Sequence, residues 1–542
     1  MAAAPEEFRN WYKAADSLSI AVQTYLEACL ALESFIALRF GSTVSSTAHE
    51  DTLFAAVLLE QKSVELRNSK LDRGDISVKR VHNLSKKLVP IRSLPDEIMA
   101  RIFALTFDKC TFLSADRPPD RNRRCFRALL TINKVCSNWR RIALGNPLLW
   151  NHVDMIDRGT PNEEAGTTGL WLERAIGTPL SIQVSIDRYV GDFRNQGSFR
   201  WLLPYFGSVS SLALLHFGGT QSLHKALEYW WDNGSPGSVK DLTVYGPQTR
   251  GLRDQFKYLE DTSSFTRDTI NSFLSPVQTL RLRHVLFGWS SEAYRGLKHL
   301  DISHTPQITC PTQRNISDIF IASPGLRYLR LHLISIKADS AGDVISPQDL
   351  NALHTLDIIG LGKNPVSDFF PLFRANLTEL SLGIDGHLIG KLAANCALVP
   401  SNITRLCIKT YSTGYHPGIG KQLLSLPLSN LRVLAFEFVQ SEGEYWRNTF
   451  FGELLPTPGS YSEFASPWPQ LHTIWIDGGG LSADPIKEVL ILYQIRTLIL
   501  SRVVLRGDGC RDILQASVSK LVVDNLGNVN PWHLTLIDRI VL

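Results

Sequence analysis

Residues 326–331 read LRYLRL, and residues 353–358 read LHTLDI. In both, apolar residues hold the first, fourth and sixth positions. The last two stand two apart and point the same way from a short strand, while the first sits where the chain runs into it. A single six-residue apolar template arises by chance, but this one recurs. It appears as VSSLAL at 209, VKDLTV at 239, VQTLRL at 277, LKHLDI at 297, LTELSL at 377 and ITRLCI at 403. LRVLAF at 431, LHTIWI at 471, IRTLIL at 495 and VSKLVV at 518 complete the series.

Successive starts lie 20 to 30 residues apart, except for longer gaps after 239 and 431. That period and pattern are those of leucine-rich repeats. Segments such as SPQDLNA and IGKLAANCALV are long enough to return the chain, by a helix or 3-10 turn, to the next parallel strand. Stacking the units buries each apolar edge on its neighbour, so residues 153–542 are expected to form an irregular, curved solenoid with a parallel sheet. The Asn that usually follows the strand in this repeat class is mostly absent. TGYHPGIGKQ and VQSEGEYWRNTFFGELLPTPGSYSEFASPWP read as a loop and an insertion.

One residue stands between the paired apolar positions of each strand: Arg281, Asp301, Arg330, Asp357, Ser381, Cys407 and Trp475 in the clearest repeats. These should be exposed and should line up on the concave face. Their mixed charge favours a protein partner over an anionic polymer. Arg281, Asp301, Arg330, Asp357 and Trp475 are therefore the candidate substrate contacts. The alternative is that they pair with one another and bind nothing.

Ahead of the repeats, Leu18, Val22, Tyr25, Cys29, Leu32 and Ile36 step by four and three, a heptad seam on one helix. GSTVSSTAHE breaks it, and Thr47 with Glu50 forms a capping-box pattern ahead of a second helix through DTLFAAVLLEQKSVELRNSKL. Residues 1–90 thus read as a helical hairpin. The seam spans fewer than three heptads, which favours packing within the hairpin or on the next domain over a dimerising coiled coil.

Residues 91–103, IRSLPDEIMARIF, start another helix. Ser93 can cap it, Pro95 fits its first turn, and Ile98, Ile102 and Leu105 fall on one stripe. A loop containing Pro-Pro separates it from ALLTINKVCSNWRRIAL, read as one helix with Ile132, Val135, Trp139 and Ile142 on one side and Gly145 at its end. Two helices of this size cannot close a core alone.

The whole chain of 542 residues is 44% apolar and 20% charged, the composition of a folded soluble protein. No stretch is apolar enough to span a membrane, and MAAAPEEFRNWYK lacks a secretory h-region. A cytoplasmic or nuclear protein is expected. Its eight cysteines show no zinc spacing and read as free, mostly buried thiols. The net charge of +4 is small for a nucleic-acid binder, although residues 62–92 hold nine Lys/Arg against three Asp/Glu. That basic stretch lacks aromatic residues for base stacking. No HExxH, GxSxG, strand-linked GxGxxG or EF-hand pattern occurs, and GYHPGIGKQ fails the phosphate-loop template. No catalytic residue, metal ligand or cofactor is assigned, and the expectation is a protein that is not an enzyme.

SLPDEIMARIFALTF followed by KVCSNWRRIALGNPLLW resembles the F-box: Leu-Pro, an acid, an apolar helix, then Val-Cys-x-x-Trp-Arg and a closing Leu-Trp. The matching positions are Leu94, Pro95, Glu97, Ile98, Ile102, Phe103, Val135, Cys136, Trp139, Arg140, Leu149 and Trp150. Helical N-terminus, F-box at 91–152 and irregular repeats together resemble the large F-box families of mushroom-forming (basidiomycete) fungi. The spacing from Leu94 to Trp150 is longer than in a typical F-box, the excess lying in the basic loop 108–124. The resemblance implies that Leu94, Pro95, Ile98, Ile102, Phe103, Val135, Cys136, Trp139 and Ile142 bind the Skp adaptor of a cullin-RING ubiquitin ligase, with the repeats holding a protein substrate. A non-catalytic scaffold without ligase function is the alternative.

Overall fold

The computed structural model describes residues 6–40, scattered helical positions between 59 and 74, residue 91, and residues 94–107, 122–157, 165–186, 200–216, 220–246, 258–260, 265–305, 309–337, 339, 345–360, 369–384, 389, 392, 402–410, 418–438, 450–455, 466–507 and 509–524. The chain divides into two compact units, residues 1–99 and 100–542.

In the first unit, α1 runs from Glu6 to Phe40. It starts well before Leu18, so the seam gains Trp11. Described helical positions from 59 to 74 form the other side of a hairpin. The Tyr25 hydroxyl donates to the Glu60 carboxylate at 2.8 Å, and the Arg67 guanidinium lies 4.8 Å over the Tyr25 ring. The capping pair Thr47 and Glu50, and Ser93, fall outside the described residues. Helix α2, Asp96–Phe107, carries the boundary between the units.

In the second unit α3, Asn122–Val135, is followed by α4, Ser137–Leu144. The sequence pattern suggested one helix here, but Cys136 is extended and caps α4, its Sγ accepting from the Trp139 N–H at 3.5 Å. The Arg140 Nε–H reaches back across the break to the Asn133 carbonyl at 2.8 Å. Gly145 closes α4 as expected, its N–H bonding the Arg141 carbonyl.

Among the described residues the strands are β1 His152–Asp157, β2 Leu180–Ile186, β3 Val209–His216, β4 Asp241–Tyr245, β5 Thr279–Arg283, β6 His299–Ser303, β7 Tyr328–His332, β8 Gln348–Leu350 and β9 Thr355–Ile359. They continue as β10 Phe373–Ala375, β11 Glu379–Ile384, β12 Arg405–Thr410, β13 Val433–Phe438, β14 Thr473–Ser482, β15 Thr497–Arg506 and β16 Lys520–Asp524. Fourteen of them form one parallel sheet in chain order, while β8 and β10 pair separately. Each of the twelve sequence templates supplies one strand of the long sheet, β3 to β7, β9 and β11 to β16. The paired apolar residues, such as Leu280 and Leu282 or Leu329 and Leu331, are fully buried.

The sheet begins two strands earlier than the templates show. In β1 the first template residue is Trp150, already spoken for as the last residue of the preceding motif. In β2 that place is taken by Pro179, which fits no apolar template.

The missing Asn has a structural replacement. His284, His304 and Leu333, one residue past β5, β6 and β7, are left-handed, with φ of 59, 57 and 51°. Their N–H groups bond the carbonyls of Ser303, His332 and Ile359 on the next strand at 3.1, 2.8 and 2.6 Å. The backbone thus extends the ladder beyond the strand without an amide side chain.

The glycine run 478–480 does not end its strand. Gly478 and Arg502 both take a positive φ, and pairing resumes at Gly479 opposite Val503. The Arg502 Nε–H donates to Asp477 at 2.7 Å and holds this paired kink.

Candidate functional site

The F-box-like segment presents two kinds of residue. Ile98 and Ile102 of α2 are 48% and 37% exposed, and Leu105, one turn further, is also exposed. Leu94 and Pro95 are exposed ahead of the helix, and Val135 at the end of α3 is 51% exposed. Apolar stripes left in water are costly for a folded chain and are a common signature of an interaction surface.

Phe103 and Ile142 do not belong to that face. Both are buried, and the Phe103 ring packs 5.0 Å from the half-buried Trp139. They hold the helices together and present nothing to a partner, a correction to their assignment as contacts. Helical spacing puts Phe103 a residue beyond Ile102, on the inward side. Cys136 is half-buried and acts as the cap already described. Leu130, Leu144 and Leu148 are exposed as well. Leu144 was passed over because the sequence reading tracked one continuous helix, whereas the chain breaks at Cys136 between α3 and α4.

Trp150 joins this segment to the sheet. It is buried, its Nε1–H donates to the Ala143 carbonyl at 2.7 Å, and its ring meets Trp171 edge-on at 4.9 Å. The Arg174 guanidinium caps the ring at 4.4 Å. Trp171 and Arg174 lie on α5, Ala165–Arg174, between β1 and β2.

On the sheet, the predicted row is in register. Thr243, Arg281, Asp301, Arg330, Asp357, Ser381, Cys407, Ala435, Trp475, Ile499 and Val522 lie side by side on successive strands. Their exposure was misjudged. Asp357 and Trp475 are each only 1% exposed, so neither is an open contact, and the side chains of Arg281, Asp301 and Arg330 are only 16, 14 and 15% exposed.

The charged residues pair with one another. Arg281 binds Asp241 at 2.8 Å, and Arg330 lies 3.4 Å from both Asp301 and Asp357. The His332 Nε2 lies 3.1 Å from Asp357, Lys409 Nζ donates to Asp357 at 2.8 Å, and Lys409 lies 3.8 Å from Glu437. His332, Lys409 and Glu437 stand two residues beyond the predicted row, on the same side of the strands. Burial alone would raise the Asp357 carboxyl, but Lys409, His332 and Arg330 overcome it and hold it well below the usual carboxylate range. Burial outweighs Asp357 at His332 and pushes it down to about 3, so the imidazole is neutral. Burial likewise raises Asp301 and Glu437, against the pull of Arg330 and Lys409 respectively. Such a network is costly to desolvate and still costlier to break on one side.

Among the described residues no cluster of His, Cys, Asp and Glu could hold a metal ion, and no helix is long and apolar enough to cross a membrane.

Residues 91–156 match the family described as F-box-like. Among solved structures, the leucine-rich repeat-containing protein LegL7 from Legionella pneumophila is 14% identical over 66% of this chain and 95% of its own, with a TM-score of 0.31. An internalin (inlF) from Listeria monocytogenes is 13% identical over 65% of this chain and 82% of its own, with a TM-score of 0.25. No curated protein matches the sequence. Residues 91–156 are thus an F-box-like domain, a protein-interaction module, and the repeated strands of the parallel sheet follow it.

Proposed function

We propose that this protein is the substrate-recognition subunit of a Skp-cullin-F-box ubiquitin ligase. The observation that carries the reading is the exposed apolar stripe Ile98, Ile102 and Leu105 on α2, inside the F-box-like match and free of the residues that build the helical core. A Skp-type adaptor would cover it. The protein catalyses nothing itself. It holds a substrate close to a ubiquitin-loaded enzyme, so that a bimolecular encounter becomes effectively intramolecular. The Trp150 junction supports this reading, because a receptor needs a fixed geometry between the adaptor-binding helices and the surface that holds the substrate.

Arg281, Asp301 and Arg330 remain the proposed substrate side, reached where the concave face stays partly open along β5 to β7. Affinity purification of the full chain from cells, followed by mass spectrometry, tests the assignment. Adaptor and cullin peptides together are the expected result. Adaptor without cullin would favour a scaffold, and neither would overturn the proposal.

A further inference from the structure

Helix α1 carries a longer seam than its sequence pattern alone marked out. Because the helix already runs from Glu6, the alternation of four and three extends back from Leu18 through Ala15 to Trp11. In heptad letters a to g, Trp11, Leu18, Tyr25 and Leu32 take d, while Ala15, Val22 and Cys29 take a. Ile36 is the next a position, so the repeat covers residues 11–36, more than three heptads. That is the length at which such a repeat marks a coiled coil.

The hairpin does not close over this seam. Leu18, Val22 and Leu32 are 44 to 52% exposed, and Cys29 is exposed with them. The second helix meets Tyr25 through Glu60 and Arg67, and its Leu71 lines one open groove with Ala15, Leu18 and Val22.

The residues around the seam suit a second copy of the same helix. Between Trp11 and Leu32 the flanking e and g positions are Tyr12, Ala14, Ser19, Ala21, Leu26 and Ala28, with no charge among them. Two identical helices therefore meet there without like-charge repulsion, and α1 has no flanking charge in this span to select a partner of different sequence. Lys13, Asp16 and Glu27, the charges in the same span, fall at b and f on the far side of the helix. Val22 and Ile36 at a, with Leu18 and Leu32 at d, follow the branching pattern of parallel two-stranded coils.

We infer that α1 pairs in parallel with the α1 of a second copy of this chain. Half-exposed, the seam side chains offer roughly 500 Å² per copy. A pair then buries about 1,000 Å², the size at which a specific interface begins. The dimer brings together two F-box-like segments and two repeat sheets, so a partner with two epitopes gains avidity without any new contact.

Light scattering on the full chain tests this. At micromolar concentration the native protein should have twice the mass of one chain. Leu18→Asp with Val22→Asp should halve it and leave circular dichroism unchanged, because both side chains already stand half in solvent. A native chain that stays a monomer, or a double variant that stays a dimer, overturns the inference. Oxidative crosslinking gives a second measurement that needs no change in the seam's apolar residues. In a parallel pair the two Cys29 side chains face each other in one a layer, so copper-phenanthroline should link two native chains, and Cys29→Ser should abolish the link. A dimer that does not crosslink through Cys29 contradicts the parallel pairing.

Discussion

Trp150 donates its indole N–H to the carbonyl of Ala143 at 2.7 Å, and that bond ties the end of the F-box-like helices to the first strand of the sheet. The same side chain closes one motif and opens the next. Trp150→Ala would remove the bond, the Trp171 contact and the Arg174 cap together. A loss of about 3–5 kcal/mol in unfolding free energy is expected, as for other buried tryptophans. Trp171→Phe keeps an aromatic ring there and should cost clearly less. Denaturant titration compares the two, and equal losses would show that the junction does not depend on Trp150.

Gly478 sits at φ +84°, and a Cβ there would lie 2.5 Å from the Phe438 carbonyl oxygen. Backbone cannot yield as a side chain can. Gly478→Ala should therefore destabilise the repeats more than Gly360→Ala, where φ is +59° and the clash is with the exposed Leu333 side chain. The left-handed conformation alone costs about 1–2 kcal/mol for a residue with a Cβ. Melting temperatures rank the pair, and the reverse order would refute the kink described at β14.

His332, neutral in the fold down to about pH 3, binds its proton only in the unfolded chain, where histidine titrates near 6.5. Between these values the unfolded state holds more protons, so stability falls as pH drops from about 6.5, by about 1.4 kcal/mol per pH unit for each such proton. Asp357, depressed in the fold, adds a further loss below about 3.9. His332→Asn should flatten the slope between pH 6 and 4.5 in urea unfolding. An unchanged slope would mean that His332 is protonated in the folded protein.

How much of this was legible beforehand differs by level. The alternation in LRYLRL and its repeats depends on two buried leucines per strand, and local pattern was enough to place twelve strands. Exposure on the concave face was not legible, because the burial of Asp357 and Trp475 depends on what lies over the sheet and not on their own repeat. The pairing of Arg330 with Asp301 and Asp357 follows from in-register neighbours, and the alternating signs had hinted at it. Phe103 and Ile142 were misassigned because motif membership does not say which side of a short helix faces inward.

The most direct test of the account is binding of the purified full chain to a purified Skp-type adaptor. Size-exclusion chromatography should show a one-to-one complex for the native sequence. Ile98→Asp with Ile102→Asp should abolish it, a change of at least about 30-fold in Kd if the pair contributes 2 kcal/mol or more, while circular dichroism stays unchanged because neither side chain is buried. A native chain that forms no complex, or a double variant that binds as well as the native chain, would contradict the assignment of this helix face to the adaptor.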